Sequence, residues 1–218
     1  QESDWNLKQL IKNMVMSATY RQTVKSNDRL QQVDPENILL ARGAQVRLSA
    51  EMVRDHALAV GGLLSDQLGG PSVKPYQPKG LWLEVASGNQ SLRKYIQDHN
   101  DELYRRSLYT FWKRTLPPPS MTIFDAPTRE QCTIKRGTTS TPMQALVLLN
   151  DPQFIEASRL LAARMLNEGG ETIEERIKFA FRLATSRQPQ EKEILVLSDL
   201  FQKEQAEYEA NPDLAKKL

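Results

Sequence analysis

Apolar residues recur every three or four positions along much of this chain, the spacing that gathers them on one face of a helix. Residues 5–22 show this most clearly, with an apolar stripe of Leu7, Leu10, Ile11, Met14, Val15 and Ala18. Asp34 and Pro35 then form a cap followed by a first-turn proline, which predicts a helix over about 35–47. A third helix is predicted to begin after Ser49 and to end before Gly69.

The final third of the chain carries equally clear helix boundaries. Thr141, Pro142 and Gln144 have the spacing of a capping box with a first-turn proline, and Asp151-Pro152 repeats the cap and the proline. These signals and the apolar period predict helices over about 142–149, 152–166, 172–185 and 189–209. The fold class is therefore predicted to be mainly α, with at most a short strand or hairpin.

The middle of the chain, about residues 65–140, has no lasting period and is interrupted by glycine and proline. Ser107–Trp112 is rich in aromatic and β-branched residues and favours an extended segment, with a helix as the competing interpretation. Pro117–Pro119 favours a polyproline II spacer. We therefore predict a single helical domain over residues 1–218. Its irregular insert lies at about 65–140. Within the insert, residues 65–100 are either a surface excursion pinned by Tyr76 and Trp82 or a binding segment.

The composition narrows the classes of protein and site that fit the chain. Lys and Arg number 29 against 27 Asp and Glu, a net charge of +2, so a histone-like nucleic-acid protein is not expected. No apolar run approaches the ~20 residues of a membrane span. One cysteine rules out an internal disulfide and a multi-cysteine zinc site, and two histidines make a histidine-rich metal centre unexpected. No metal site is predicted.

Positive charge concentrates in residues 104–136, which hold seven basic, two acidic and five aromatic residues. Arginine beside an exposed aromatic ring can bind phosphate, sulfate or carboxylate groups. The candidate ligand-binding residues are therefore Arg105, Arg106, Trp112, Lys113, Arg114 and Arg136. The alternative is that the aromatic rings are core and that the basic residues pair with acidic helices, such as those within residues 187–218.

Evidence for catalysis is sparse. Cys132 precedes Lys135 and Arg136, and basic neighbours lower the pKa of a thiol, so Cys132 is a candidate reactive thiol. No Gly-x-Ser-x-Gly string, phosphate-binding glycine loop or Cys-x-x-Cys-His haem motif occurs in the sequence. His56 lies on the apolar stripe of its predicted helix, where a core role is the commoner one. An enzyme assembled from His56, Asp125 and Cys132 is kept as an alternative.

Four strings of sequence carry a family resemblance. They are residues 17–22 (SATYRQ), 104–114 (YRRSLYTFWKR), 124–127 (FDAP, with Cys132 after it) and 141–152. Together they resemble the C-terminal domain of unknown function of planctomycete-type cytochrome c-associated proteins, over most of residues 5–200. The resemblance implies a fragment of a large exported or periplasmic protein, whose haem would lie in a separate cytochrome c-like domain. It implies no cofactor in this chain and transfers no catalytic residue.

The function predicted from these observations is that of a non-catalytic interaction or scaffold module within a larger exported protein. Its expected partners are the other domains of that protein. One alternative is a binding module for anionic glycans that uses the basic and aromatic residues of 104–136. The other is an enzyme of unknown type.

Overall fold

The computed structural model describes residues 5–85 and 94–216, and it confirms a mainly α fold. Its helices are α1 Leu7–Val15, α2 Asp28–Val33, α3 Ala50–Gly61, α4 Leu81–Val85, α5 Pro119–Ile123, α6 Pro142–Asn150, α7 Pro152–Glu168, α8 Ile173–Thr185, α9 Glu191–Ala210 and α10 Pro212–Ala215. Short 3-10 turns cover Asn100–Tyr104 and Ser107–Tyr109. The chain divides into two compact units, residues 1–47 and 48–218. The single domain over residues 1–218 stays a prediction.

The first unit contains α1, which is shorter than the helix predicted over residues 5–22. The Asn6 side chain caps its first turn by accepting a hydrogen bond from Gln9 N at 3.0 Å. After Val15, the Ser17 hydroxyl donates to Met14 O and accepts from Tyr20 N, so side-chain bonds replace the continuing helix ladder. None of the residues of α1 is buried.

The helix predicted over residues 35–47 is wrong. The buried Asp34 carboxylate accepts hydrogen bonds from Ile38 N and Leu39 N, both at 2.8 Å, and the chain turns tightly around it. Asn37 and Leu40 adopt left-handed backbone angles with φ of 56° and 54°, which a right-handed helix does not accommodate. The helix of this region is instead α2, which ends just before Asp34. The cap-and-proline pattern therefore marked a turn.

The second unit is built around α3, which packs against α7 and α8, while α9 continues the row beside α8. The α3–α7 crossing is close because Gly61 has no side chain. A Cβ at this position would lie 2.8 Å from the carbonyl oxygen of Ala157. The helices predicted in the final third of the chain are confirmed, each within a few residues of the expected bounds.

The irregular middle of the chain is tied to this helical row. Ala50 of α3, Met121 of α5 and Ala126 form a small buried cluster, with Trp112 and Phe124 packed against it. The predicted extended segment at 107–112 begins as a 3-10 turn, and Phe111 N then bonds to Val73 O in an isolated parallel pairing. Pro119 starts α5 because a proline fits the first helical turn, so the predicted polyproline spacer ends one residue earlier.

Candidate functional site

The candidate site depends on Arg54, a buried side chain of α3. Its guanidinium donates to Gln153 Oε1 at 2.5 Å, to Leu103 O at 2.7 Å and to Arg105 O at 2.8 Å. Burial lowers the pKa of Arg54 to about 10, against the opposing charge of nearby Asp55. Because these bonds hold the backbone on both sides of Tyr104, Arg54 fixes the 103–105 segment against α3.

Arg105 and Arg106, predicted together as ligand-binding residues, have different surroundings. Arg105 is fully buried, donates to Pro71 O at 2.9 Å and to Gly69 O, and lies 4.0 Å from the centre of the Tyr109 ring. Arg105 therefore anchors the loop at residues 69–71 and does not face solvent. The side chain of Arg106 is half exposed, with Nε 4.0 Å from Asp55 Oδ2.

Arg106 lines a cleft of about 680 Å³ beside the first two turns of α3. We call this the arginine cleft; its walls are Ser49, Glu51, Met52, Asp55, Arg106, Leu108, Arg129 and Arg136. Arg136 Nη1 donates to Glu51 Oε2 at 2.6 Å across the cleft. Three guanidinium groups therefore meet two carboxylates in one depression, which leaves a net positive charge.

The electrostatics of the cleft keep Glu51 ionised. Burial raises the pKa of Glu51, but the hydrogen bond and the charge of Arg136 oppose it, and the net pKa lies below the ordinary value. Arg129 lies with its guanidinium 4.2 Å from the centre of the Trp112 ring, and the indole donates to Thr128 O at 3.2 Å. The Trp112 ring therefore packs against the guanidinium of Arg129.

Of the six predicted ligand-binding residues, Arg106 and Arg136 line the cleft, and Trp112 contacts Arg129 of its wall. Lys113 instead lies 4.3 Å from the centre of the Trp82 ring, and Arg114 is exposed outside the cleft. Arg129 also lines the cleft, although it is not among the predicted ligand-binding residues. Glu51 and Asp55 could not be predicted as part of the site, because their partners lie more than 50 residues away along the chain.

The residues of the enzyme alternative contact different parts of the chain. His56 Nε2 donates to Ala184 O of α8 at 2.9 Å. The Asp125 carboxylate accepts from Thr139 N at 2.7 Å and from its hydroxyl, and Cys132 is exposed. Within residues 5–85 and 94–216, no group of three or more His, Cys, Asp or Glu side chains has an arrangement that could hold a metal ion.

A second cavity of about 550 Å³ was not predicted from the sequence. Its mostly apolar and amide walls come from the insert and from α5, α6 and α7: Tyr76, Gln77, Pro78, Lys79, Gln97, Pro119, Ser120, Ile123, Leu146, Val147, Asn150, Asp151 and Pro152. Burial raises the pKa of Asp151, and burial with the charge of Glu156 raises that of Tyr76. Residues 150–152 carry the pattern of a helix cap, and nothing in that pattern indicates that they also line a cavity.

Comparison with known proteins places the chain at the level of a family. A family model described as "Protein of unknown function (DUF1553)" matches residues 1–201, which confirms the resemblance to a domain of unknown function. A search of curated proteins gave no match. A search of solved structures likewise gave none. In the part of the chain that the structure describes, no helix combines the length and apolar character that crossing a membrane requires.

Proposed function

This chain belongs to the DUF1553 family of proteins of unknown function, and from that premise we propose that it is a non-catalytic helical interaction module. Its partners in this proposal are other domains of a larger exported protein, as the family resemblance implies. The haem of such a protein would lie in a separate domain. The support from the structure is the large amount of apolar surface that its helices leave in solvent.

The exposed stripe of α1 is the observation that carries the proposal. Leu7 is 70% exposed, Leu10 50%, Ile11 58% and Met14 57%, and all four lie on one face of the helix. The opposite face carries Lys8, Gln9, Lys12 and Asn13. Exposed apolar surface costs about 25 cal/mol per Å² relative to burial, and contiguous exposed apolar patches on soluble proteins mark interaction sites.

The second unit shows the same feature on α6 and α9. Leu149 of α6 is exposed, and so are Leu195, Val196 and Leu200 of α9. None of the residues of α9 is buried, although the helix is 20 residues long. If nothing covered these faces, their leucine and valine side chains would leave apolar surface in water, which costs free energy relative to burial. The exposed apolar faces of α1, α6 and α9 support a proposal in which more than one helix contacts a partner domain.

Site-specific photo-cross-linking tests the proposal. Benzoylphenylalanine is introduced at Leu10, in the stripe, and at Lys8 on the polar face of the same helix as the matched control. In the native protein in its own cells, we expect Leu10 to give a discrete cross-linked product that mass spectrometry assigns to one protein surface. We expect Lys8 to give little. Equal, diffuse labelling from both positions would contradict an interaction role for the stripe.

Anionic-glycan binding is a second candidate function, favoured by the convergence of Arg106, Arg129 and Arg136 on the arginine cleft. Fewer cations face this cleft than the sequence led us to expect, since Arg105 is buried and Lys113 lies over Trp82. Two carboxylates also oppose the arginines. Calorimetric titration with a sulfated oligosaccharide tests this candidate, and binding that survives Arg106→Ala and Arg136→Ala unchanged would remove the cleft as its site.

A further inference from the structure

The arginine cleft already holds a carboxylate, which shows the chemistry that it accepts. Glu51 Oε2 lies 2.6 Å from Arg136 Nη1, a distance typical of a strong charge-assisted hydrogen bond. The Glu51 side chain is mostly covered, while nearly half of the Arg136 side chain remains in solvent. Arg136 is therefore accessible to an incoming carboxylate that approaches from the open side of the cleft.

Two further guanidinium groups flank this pair. Arg106 is half exposed, and its Nε lies 4.0 Å from Asp55 Oδ2, beyond hydrogen-bond distance. Arg129 is exposed, with its guanidinium 4.2 Å from the centre of the Trp112 ring. A planar guanidinium can bind a carboxylate through two parallel hydrogen bonds. The cleft thus presents more guanidinium groups than its own two carboxylates satisfy.

Apolar side chains complete the cleft and restrict the class of ligand. Met52 is 57% exposed and Leu108 is 68% exposed, and both line the same walls as the arginines. A sulfated sugar has no large apolar side chain to cover them. A peptide that alternates carboxylates with an apolar side chain covers both kinds of wall.

We propose that the arginine cleft binds an acidic peptide segment of a partner protein in competition with Glu51. The peptide's carboxylates bind Arg106, Arg129 and Arg136, and its apolar side chain packs on Met52 and Leu108. Displacing Glu51 from Arg136 is part of the binding equilibrium, so Glu51 weakens the affinity for an external carboxylate. That the partner is a protein rests on the proposed interaction function; the affinity for carboxylates rests on the cleft alone.

Isothermal titration calorimetry tests this proposal by measuring the affinity of the whole chain for the end-blocked peptide Glu-Glu-Leu-Glu-Glu. We expect Arg129→Ala and Arg136→Ala each to weaken binding about tenfold, because each removes charge-assisted hydrogen bonds. Glu51→Gln should tighten binding about two- to fivefold, since it removes the partly exposed Glu51–Arg136 ion pair that competes with the peptide. Arg114→Ala is the matched control, because this arginine lies outside the cleft, and it should leave the affinity unchanged.

The unchanged affinity of Arg114→Ala separates binding at the cleft from general attraction to a basic surface. The gain of affinity in Glu51→Gln separates it from misfolding, since a damaged fold does not bind more tightly. Unchanged affinity in that variant overturns the competition, and unchanged affinity in both arginine variants overturns the site. Binding of a sulfated oligosaccharide with no binding of the peptide assigns the cleft to a glycan instead. Absence of binding to either probe overturns the cleft as an anion site. A positive cross-link from Leu10 would still support the interaction module in every one of these cases.

Discussion

Helix α1 of the first unit and helix α8 of the second both carry an apolar stripe with helical spacing, yet only one stripe is covered. Ile11 of α1 is 58% exposed, whereas Ile177 of α8 is 6% exposed. Spacing along the chain identifies which face of a helix is apolar, but it does not say what covers that face. In α8 the stripe meets α3, α7 and α9, and in α1 it stays open. An uncovered stripe on a regular helix is the signature expected of an interface.

The substitution expected to destabilise the second unit most removes a polar side chain, that of Arg54. Arg54→Ala removes the donors to Leu103 O, Arg105 O and Gln153 Oε1 and leaves these buried acceptors unpaired. We expect the free energy of unfolding of this unit to fall by about 3–5 kcal/mol. Urea unfolding measures the effect, with Arg114→Ala as an exposed control expected to change stability by less than about 0.5 kcal/mol. Similar values for the two variants would mean that Arg54 does not organise the 103–107 segment.

A pair of identical substitutions tests the contrast between covered and open stripes. Ile177→Ala should destabilise its unit by about 2–5 kcal/mol, because it leaves a cavity among packed helices. Ile11→Ala should cost less than about 0.5 kcal/mol, since its side chain is already in solvent. Both values come from denaturant unfolding of the isolated chain. A large loss from Ile11→Ala would show that α1 is packed in solution, which would remove the contrast.

The close crossing of α3 and α7 gives a smaller effect of the same kind. Gly61→Ala places a methyl group 2.8 Å from Ala157 O, a backbone atom that cannot move by itself. We expect a loss of about 1–3 kcal/mol from the forced separation of the two helices. Gly137→Ala is the matched control, because nothing lies within 4 Å of the added methyl, and it should not destabilise. Thermal unfolding of both variants decides whether the crossing is as tight as described.

The Glu51–Arg136 pair should contribute least, and its contribution should depend on pH. The folded-state pKa of Glu51 lies below its ordinary value of 4.5, so the pair stabilises the protein above about pH 4.5 and loses that effect as the pH falls through the lowered pKa. We expect wild type to exceed Glu51→Gln in stability by about 0.2–1 kcal/mol near neutral pH. That difference should shrink in acid. A difference that stays constant with pH would indicate that the amide introduced in Glu51→Gln destabilises the fold for a reason other than charge.

Local signals in the sequence predicted most of the helices, and the reasons for their failures are physical. The caps at 141–144 and 151–152 mark helix starts because the cap and its hydrogen-bond partner lie within three residues of each other. The same cap-and-proline pattern failed at Asp34, where the carboxylate accepts bonds four and five residues ahead and closes a turn. A cap alone does not distinguish these outcomes.

The candidate site was less accessible to sequence reasoning than the helices. Local charge predicted a basic segment, and Arg106 and Arg136 of that segment do meet in one cleft. Arg105, one position away from Arg106, is buried because its guanidinium bonds to the carbonyls of a distant loop. Glu51 lies 85 residues from its partner Arg136, so no local pattern could have paired them. Long-range contacts decide which of several neighbouring arginines faces solvent.

Hydrogen exchange on α1 is the most direct test of whether its exposed apolar stripe is an interaction surface. The backbone amides of residues 7–15 are measured in the isolated chain and in the native protein purified with its partners from its own cells. The proposal predicts exchange at least about tenfold slower in the native assembly, because docking of the stripe opposes opening of the helix. Equal exchange rates in the two samples would contradict it.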